Sequence, residues 1–274
     1  MPRLVMMNSI RRYLAASAAL AILASPACAQ SLPDDLYRAE LLPGWQTPEG
    51  TRMAALRLSM AKGWKTYWRA PGEAGIPPVF DWSGSKNVAS VTYHWPAPEV
   101  FELSGYTTFG FHDELVLPIE IRPQDASQPI TASAEVELGI CEDICVPVAF
   151  TISAELSGSE ADTRIRQALA SMPEDARDAG LTGFRCTVEP IRDGLRLTAT
   201  LTMPPLGREE VAVLEAGAGD IWVSPAETRR EGGTLVSVAD LVPPTARPFA
   251  LDRSSVVVTV LAPGRAVQEI GCTG

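Results

Sequence analysis

Two cysteines separated by three residues, in the run Cys141-Glu142-Asp143-Ile144-Cys145, are the side chains of this sequence best suited to chemistry. A thiolate attacks a disulfide through a mixed-disulfide intermediate, which requires one accessible sulfur and a second close enough to resolve it. Upstream, Ala134, Val136, Leu138 and Ile140 alternate with Ser133, Glu135, Glu137 and Gly139; downstream, Val146, Val148, Phe150 and Ile152 form a second alternating row. This period of two predicts a hairpin of half-buried strands. A three-residue turn makes positions 141 and 145 cross-strand neighbours, with a Cα separation of roughly 5 Å that suits a disulfide. Both cysteines have the parity opposite to the apolar rows, so both sulfurs are expected on the outer face, within reach of a partner. Glu142 and Asp143 beside them should disfavour the thiolate and restrain attack until a partner docks.

The compartment follows from the first residues. Arg11 and Arg12 precede an apolar run over 13–24, and Ala27-Cys28-Ala29 is a small-x-small cleavage site, so 1–29 is expected to be a secretory signal peptide and the product periplasmic. The run is shorter than the about 20 residues a membrane span needs. Pro26 and Ala27 make a poor lipid-attachment box for Cys28, which favours cleavage after Ala29. Four cysteines then remain in an oxidising compartment, and they allow three pairings. Spacing favours Cys141 with Cys145 and Cys186 with Cys272, each within one half of the chain. Closing a loop of about 5 residues stabilises by only ~2 kcal/mol, whereas one of about 87 residues gives ~4.6 kcal/mol. The long bridge is therefore the expected structural staple, and the short one the candidate for chemistry.

The chain carries 23 Lys and Arg against 33 Asp and Glu, a formal charge of −10; loss of three signal-peptide arginines and no acid takes it to −13. A nucleic-acid surface is not expected at that charge. No stretch after the signal has the apolar length of a membrane helix. No Ser-His-Asp set, glycine-rich phosphate loop or carboxylate pair stands out by spacing, and no cofactor is expected. His94 and His112 could in principle join Cys141 and Cys145 in a four-ligand set favouring Cu(I) or Zn(II), but their spacing does not support one, and no metal site is expected.

The elements that must position the cysteines are short strands broken by Pro and Gly. Ala54, Leu56, Leu58 and Met60 form one row; segments 80–82, 88–95 and 115–121 are further strands; 71–78 is a loop by its breakers. Trp82 and Trp95 are expected in the core, and Tyr67 either packs there or lines the cysteines. Ile165, Ala168, Leu169 and Met172 recur at helical spacing up to Pro173, and strand-like segments resume with 184–188, 195–203, 211–214, 255–261 and 266–272. The expected architecture is all-β: two immunoglobulin-like antiparallel β-sandwiches, at 30–156 and 179–274, joined by a helical linker at 157–178. Cys186 on the first strand of the second sandwich and Cys272 on its last would hold the ends of that domain together.

The run Gly63-Trp64-Lys65-Thr66-Tyr67-Trp68-Arg69-Ala70-Pro71-Gly72, then Trp95-Pro96-Ala97-Pro98, Gly105-Tyr106-Thr107-Thr108-Phe109-Gly110-Phe111, Leu115-Val116-Leu117-Pro118 and Cys141-Glu142-Asp143-Ile144-Cys145-Val146-Pro147 resembles the N-terminal periplasmic domain of the thiol:disulfide interchange protein DsbD family. The likeness spans roughly 36–153 in one collinear order and is greatest to the relative from suppressor-of-copper-sensitivity systems, whose second immunoglobulin-like domain the second half resembles more weakly. The resemblance implies an electron carrier. A membrane-embedded thiol reductant would supply it, and periplasmic thioredoxin-fold proteins such as disulfide isomerases would receive from it. It further implies that Cys145, followed by Val146-Pro147, forms the mixed disulfide and that Cys141 resolves it. An aromatic cap loop falls somewhere in 101–109, with Tyr106 and Phe109 as candidates, and Tyr67 lines the same site. Full-length members continue into a membrane domain and a thioredoxin-like domain absent from this sequence, so the resemblance implies a separate membrane reductant. Two rival functions are a non-catalytic immunoglobulin-like binding module with two structural bridges, and a copper-handling protein.

Overall fold

Alternation of apolar and polar residues, repeated in short segments, builds two stacked pairs of sheets. The computed structural model describes residues 35–103, 105–217 and 221–274; the expected signal peptide and Cys28 lie outside the described residues. Strands β1 (Tyr37–Gln46), β2 (Arg52–Met60), β3 (Lys65–Gly72), β4 (Val79–Asp81), β5 (Val88–Tyr93), β6 (Glu99–Leu103), β7 (Tyr106–His112), β8 (Glu114–Pro123), β9 (Thr131–Cys141) and β10 (Cys145–Glu155) form the first sandwich. One sheet has the order β1-β2-β8-β5, the other β10-β9-β3-β7-β6 with β4 paired to β9. Ala54, Leu56 and Leu58 of β2, Leu115 to Ile121 at every second position of β8, and Ala132 to Ile140 at every second position of β9 are buried in one core with Trp64, Trp68 and Trp95. Trp95 stacks on Phe111, and the Trp82 indole donates to the Tyr93 hydroxyl at 2.7 Å with its ring half-buried.

The helix expected near 165 is α1 (Thr163–Ala170), capped by the Asp162 side chain, which accepts from the backbone N–H of Arg164. It is no free tether. Ile165 is buried against Leu42, Met53 and Ala55 on the outer face of β1 and β2, and the Ala97 N–H donates to the carbonyl of Ser171 just beyond the helix.

The second sandwich comprises β11 (Glu174–Asp175), β12 (Gly183–Ile191), β13 (Gly194–Thr202), β14 (Val211–Glu215), β15 (Trp222–Val223), β16 (Glu227–Glu231), β17 (Thr234–Val242), β18 (Val257–Ala262) and β19 (Arg265–Ile270). Its sheets run β11-β19-β18-β14 and β12-β13-β17-β15, with β16 also on β17. Pairing between the described strands is antiparallel except for the two-residue β11–β19 contact, and a lone bridge of Arg185 on β12 with Thr273 is also parallel. Cys186 and Cys272 are bridged with Cα atoms 5.6 Å apart, which joins β12 to the residues after β19. Backbone hydrogen bonds from Cys186 to Thr273 and from Thr273 to Phe184 close the same seam.

The sandwiches share packing. Val213, Leu261 and Ala266 of the second belong to the core cluster of the first. Beside them the Arg69 guanidinium forks onto Glu215 with two hydrogen bonds of 2.9 Å, reaches Gln268 at 2.7 Å, and lies over the Trp68 ring at 4.1 Å.

Candidate functional site

The hairpin of β9 and β10 turns through Glu142, Asp143 and Ile144, with Cys141 and Cys145 directly opposite one another and their Cα atoms 4.1 Å apart. A disulfide joins them. The register continues across the sheet: Cys141 lies opposite Lys65 on β3, and Lys65 opposite His112 on β7. Residues directly opposite share a face, so Cys145, Cys141, Lys65 and His112 form one row on the outer face. The close approach of β7 to β3 depends on Gly110, where a Cβ would sit 2.0 Å from the Thr66 carbonyl oxygen.

Parity puts both cysteines on that outer face, but burial separates them. Cys145 is exposed, whereas Cys141 is 1 % exposed. The expectation that both sulfurs are reachable is therefore corrected. An outer face is a solvent face only where nothing is laid over it, and here Lys65 stands directly across from Cys141, Tyr67 reaches over to Cys145, and Ile76 of the loop after β3 packs at Gly139. Tyr67, two residues along β3 from Lys65, is 2 % exposed, and its hydroxyl is 3.3 Å from Cys145 Sγ. Burial pushes its phenol pKa up from 10, so the hydroxyl keeps its proton throughout the range in which a thiol titrates. Two glycines make room for this cover. A Cβ on Gly75 would stand 2.8 Å from Tyr67 Cδ1, and one on Gly139 2.9 Å from Ile76 Cβ.

The remaining candidates are dispersed. Glu142, Asp143 and Ile144 are exposed on the turn, and the Glu142 carboxylate lies over Gly63. Tyr106 is exposed at the tip of the β6–β7 hairpin. Phe109 is buried in the sandwich core together with Phe111, on the opposite side of the sheet from the disulfide. The aromatic ring beside the row is Phe101, which lies 5.2 Å from Lys65 Nζ and edge-on to His112 at 4.4 Å. Alternation along β7 accounts for this: Thr108, Gly110 and His112 share the outer face, leaving 109 and 111 to the core. Of the two histidines, His94 bonds Glu120 at 3.1 Å and His112 bonds Glu99 at 3.3 Å. Among the described residues no three His, Cys, Asp or Glu side chains are grouped as a metal would need. A cleft of about 950 Å³ between the sandwiches, lined by Glu99, Glu102, Val211 and Arg265 among others, includes neither cysteine of the pair.

Residues 38–155 match the family model described as thiol:disulfide interchange protein DsbD, N-terminal. This segment is a DsbD N-terminal domain. No curated protein matches the chain. Among solved structures, the N-terminal periplasmic domain of ScsB from Proteus mirabilis superposes with a TM-score of 0.59 at 23% identity, covering 87% of this chain and 92% of that one. That likeness extends the shared fold through the second sandwich. In the DsbD N-terminal domain of this chain the disulfide occupies the β9–β10 turn, with Cys145 exposed and Cys141 buried.

Lys65 is absent from the residues that spacing singles out, and Phe101 enters there only as the first residue of the 101–109 span expected to hold the aromatic cap. The signal for Lys65 is its parity with Tyr67 within Gly63-Trp64-Lys65-Thr66-Tyr67, which places both on one face once the segment is a strand.

Proposed function

We propose that the chain is a periplasmic thiol-disulfide carrier, in which the Cys141–Cys145 pair takes reducing equivalents from a membrane-embedded thiol reductant and passes them to thioredoxin-fold proteins such as disulfide isomerases. The observation that carries this reading is the asymmetry of the pair: Cys145 exposed, Cys141 enclosed, both on a turn that a partner can reach. Membership of the first sandwich in the DsbD N-terminal family supports it, as does the periplasmic origin of the ScsB domain with the same fold.

In the receiving step a thiolate of the reductant attacks Cys145 Sγ, the Cys141–Cys145 bond breaks, and its electron pair leaves on Cys141. A second thiolate of the reductant then displaces Cys145, and the reductant departs as a disulfide. In the donating step Cys145 attacks the partner's disulfide, and Cys141 resolves the mixed disulfide and frees the partner as a dithiol. Tyr67 holds Cys145 through its hydroxyl, and the Cys186–Cys272 bridge stays shut. No helix among the described residues is long and apolar enough to cross a membrane.

The test is trapping with a thioredoxin-fold disulfide isomerase. Cys141→Ala accumulates a mixed disulfide through Cys145, and Cys145→Ala forms none. Reduction of the isomerase at the wild-type rate by either variant would remove the assignment.

A further inference from the structure

The row that carries the disulfide also carries a charge with no carboxylate partner among the described residues. Lys65, directly opposite Cys141, is only 8 % exposed. Among the described residues it has no carboxylate partner; its ammonium lies instead over the Phe101 ring at 5.2 Å. A lysine covered to this extent along its length is seldom without an ionic partner. A cation–π contact only partly replaces an ion pair. Nor are acids scarce, with 33 of them against 23 Lys and Arg. The anion that would pair with Lys65 is made by the reaction itself, because opening the disulfide leaves negative charge on the sulfur across the strand.

We propose that Lys65 is the cation that holds the Cys141 sulfur as a thiolate each time the Cys141–Cys145 bond opens. The proposal deepens the carrier reading and rests on it for its physiological setting. Lys65 acts as a positioning residue, through its charge. When an attacking thiolate bonds to Cys145 Sγ, the electron pair of the broken bond goes to Cys141 Sγ, and a sulfur of lower proton affinity leaves faster. On the return, the same thiolate attacks Cys145 Sγ and releases the partner's sulfur with its electron pair. Lys65 stands on the neighbouring strand in register with Cys141 before the bond breaks, so the cation need not be recruited from elsewhere.

Other charged groups face Cys141. Glu142 and Asp143 on the turn and Glu137 four residues back on β9 oppose a thiolate, and Glu73 in the loop after β3 is held by the Thr107 N–H. Tyr67 stays neutral, and His112 beyond Lys65 is bonded to Glu99. Lys65 is the cation in register with the sulfur, which is why its removal should be felt above this background.

The experiment titrates Cys141 alone, in Cys145→Ser, by difference absorbance at 240 nm against the Cys141→Ala/Cys145→Ser double variant. In that background Lys65→Met raises the Cys141 midpoint by about 1 pH unit or more, and Lys65→Arg restores it. In the otherwise native chain Lys65→Met slows reduction of the disulfide by dithiothreitol roughly threefold or more. Thermal unfolding accompanies each variant: a lysine that only packs on Phe101 would lower Tm and leave the midpoint where it was, and that result overturns the proposal. Lys65→Gln, closer in shape and still polar, makes the same comparison if Lys65→Met does not fold. The titration needs no partner. A shifted midpoint in a chain that cannot exchange with a thioredoxin-fold protein therefore refutes the carrier reading alone, and normal exchange with an unmoved midpoint refutes the role of Lys65 alone.

Discussion

The hydroxyl of Tyr67 stands 3.3 Å from the sulfur of Cys145 although its own ring is enclosed. A protonated phenol beside a sulfur stabilises the thiolate more than the thiol, and burial keeps this phenol protonated above its ordinary value of 10. The sign follows: Tyr67→Phe removes a donor to the charged form and raises the Cys145 pKa, by about 1 unit if the bond to the anion is worth about 1.5 kcal/mol. The measurement is the pH dependence of Cys145 alkylation in a Cys141→Ala background. An unchanged profile would reduce Tyr67 to a packing residue.

The cover over the Cys141 end is set by small residues. Gly75→Ala places a Cβ 2.3 Å from Pro71 Cβ and 2.8 Å from the Tyr67 ring, and neither the proline nor the enclosed ring can yield without moving the loop. The expected cost is about 1–3 kcal/mol, read by denaturant unfolding, together with faster alkylation of Cys141 in a Cys145→Ser background as the cover loosens. Gly139→Ala meets only the Ile76 side chain, so its effect should be smaller in both measurements. Equal effects would mean that the loop, not Tyr67, seals the site.

How much of this was legible in the sequence depends on whether a residue's neighbours lie along the chain or across it. Alternation found β2, β8, β9 and β10, because each of these turns every second residue, large and apolar, onto the sandwich core. It did not find β17, where Leu235, Val236 and Ser237 are all buried in succession and no period of two survives. The turn cysteines and their pairing were readable from spacing, and Tyr67 from the family resemblance. The enclosure of Cys141 was not, since it comes from β3 and its following loop, more than sixty residues earlier. Lys65 was hidden for the same reason: its meaning lies in the β3–β9 register, which no local pattern encodes.

Charge holds the far sheet as well as the near one. Glu120 accepts from the Thr51 hydroxyl at 2.6 Å and bonds His94 at 3.1 Å, and its pKa is lowered first by Thr51, with His94 adding to the effect against desolvation. A depressed carboxyl contributes stability that is present above the ordinary carboxylate range and lost as pH falls through the depressed value. Thr51→Val should therefore cost about 1 kcal/mol at pH 7 and progressively less toward pH 3. Chemical denaturation at several pH values checks this, and a pH-independent cost would contradict it.

Arg69 ties the two sandwiches, with Glu215 and Gln268 from the second meeting a guanidinium that also covers Trp68 from the first. Both ionic side chains are partly enclosed, at 26%/21% exposure, so Arg69→Ala leaves a partly desolvated carboxylate unpaired and uncovers an indole. The expected loss is about 1–3 kcal/mol, seen as a lower first transition on heating. Glu215→Gln, which keeps a hydrogen-bond acceptor, should cost less than Arg69→Ala. A loss as large from Glu215→Gln would point to charge alone as the tie.

The two disulfides should respond oppositely to removal and to reductant. Cys186 is fully buried and Cys272 nearly so, and their bridge closes 86 positions of sequence separation against 4 for Cys141–Cys145. Chain entropy makes the long bridge worth about 4.6 kcal/mol and the short one about 2 kcal/mol. Replacing Cys186 and Cys272 by Ala should lower the denaturant midpoint substantially, while replacing Cys141 and Cys145 should lower it far less. Against a glutathione series the order reverses, because a partner thiolate reaches Cys145 directly but reaches neither sulfur of the enclosed bridge without local unfolding. The short bridge should open at moderate ratios of reduced to oxidised glutathione, and the long one should persist with a potential below about −300 mV. Mass spectrometry of alkylated peptides separates the two bridges in one sample, and opening of both at the same ratio would leave the short ring with no property that distinguishes a carrier from a clasp.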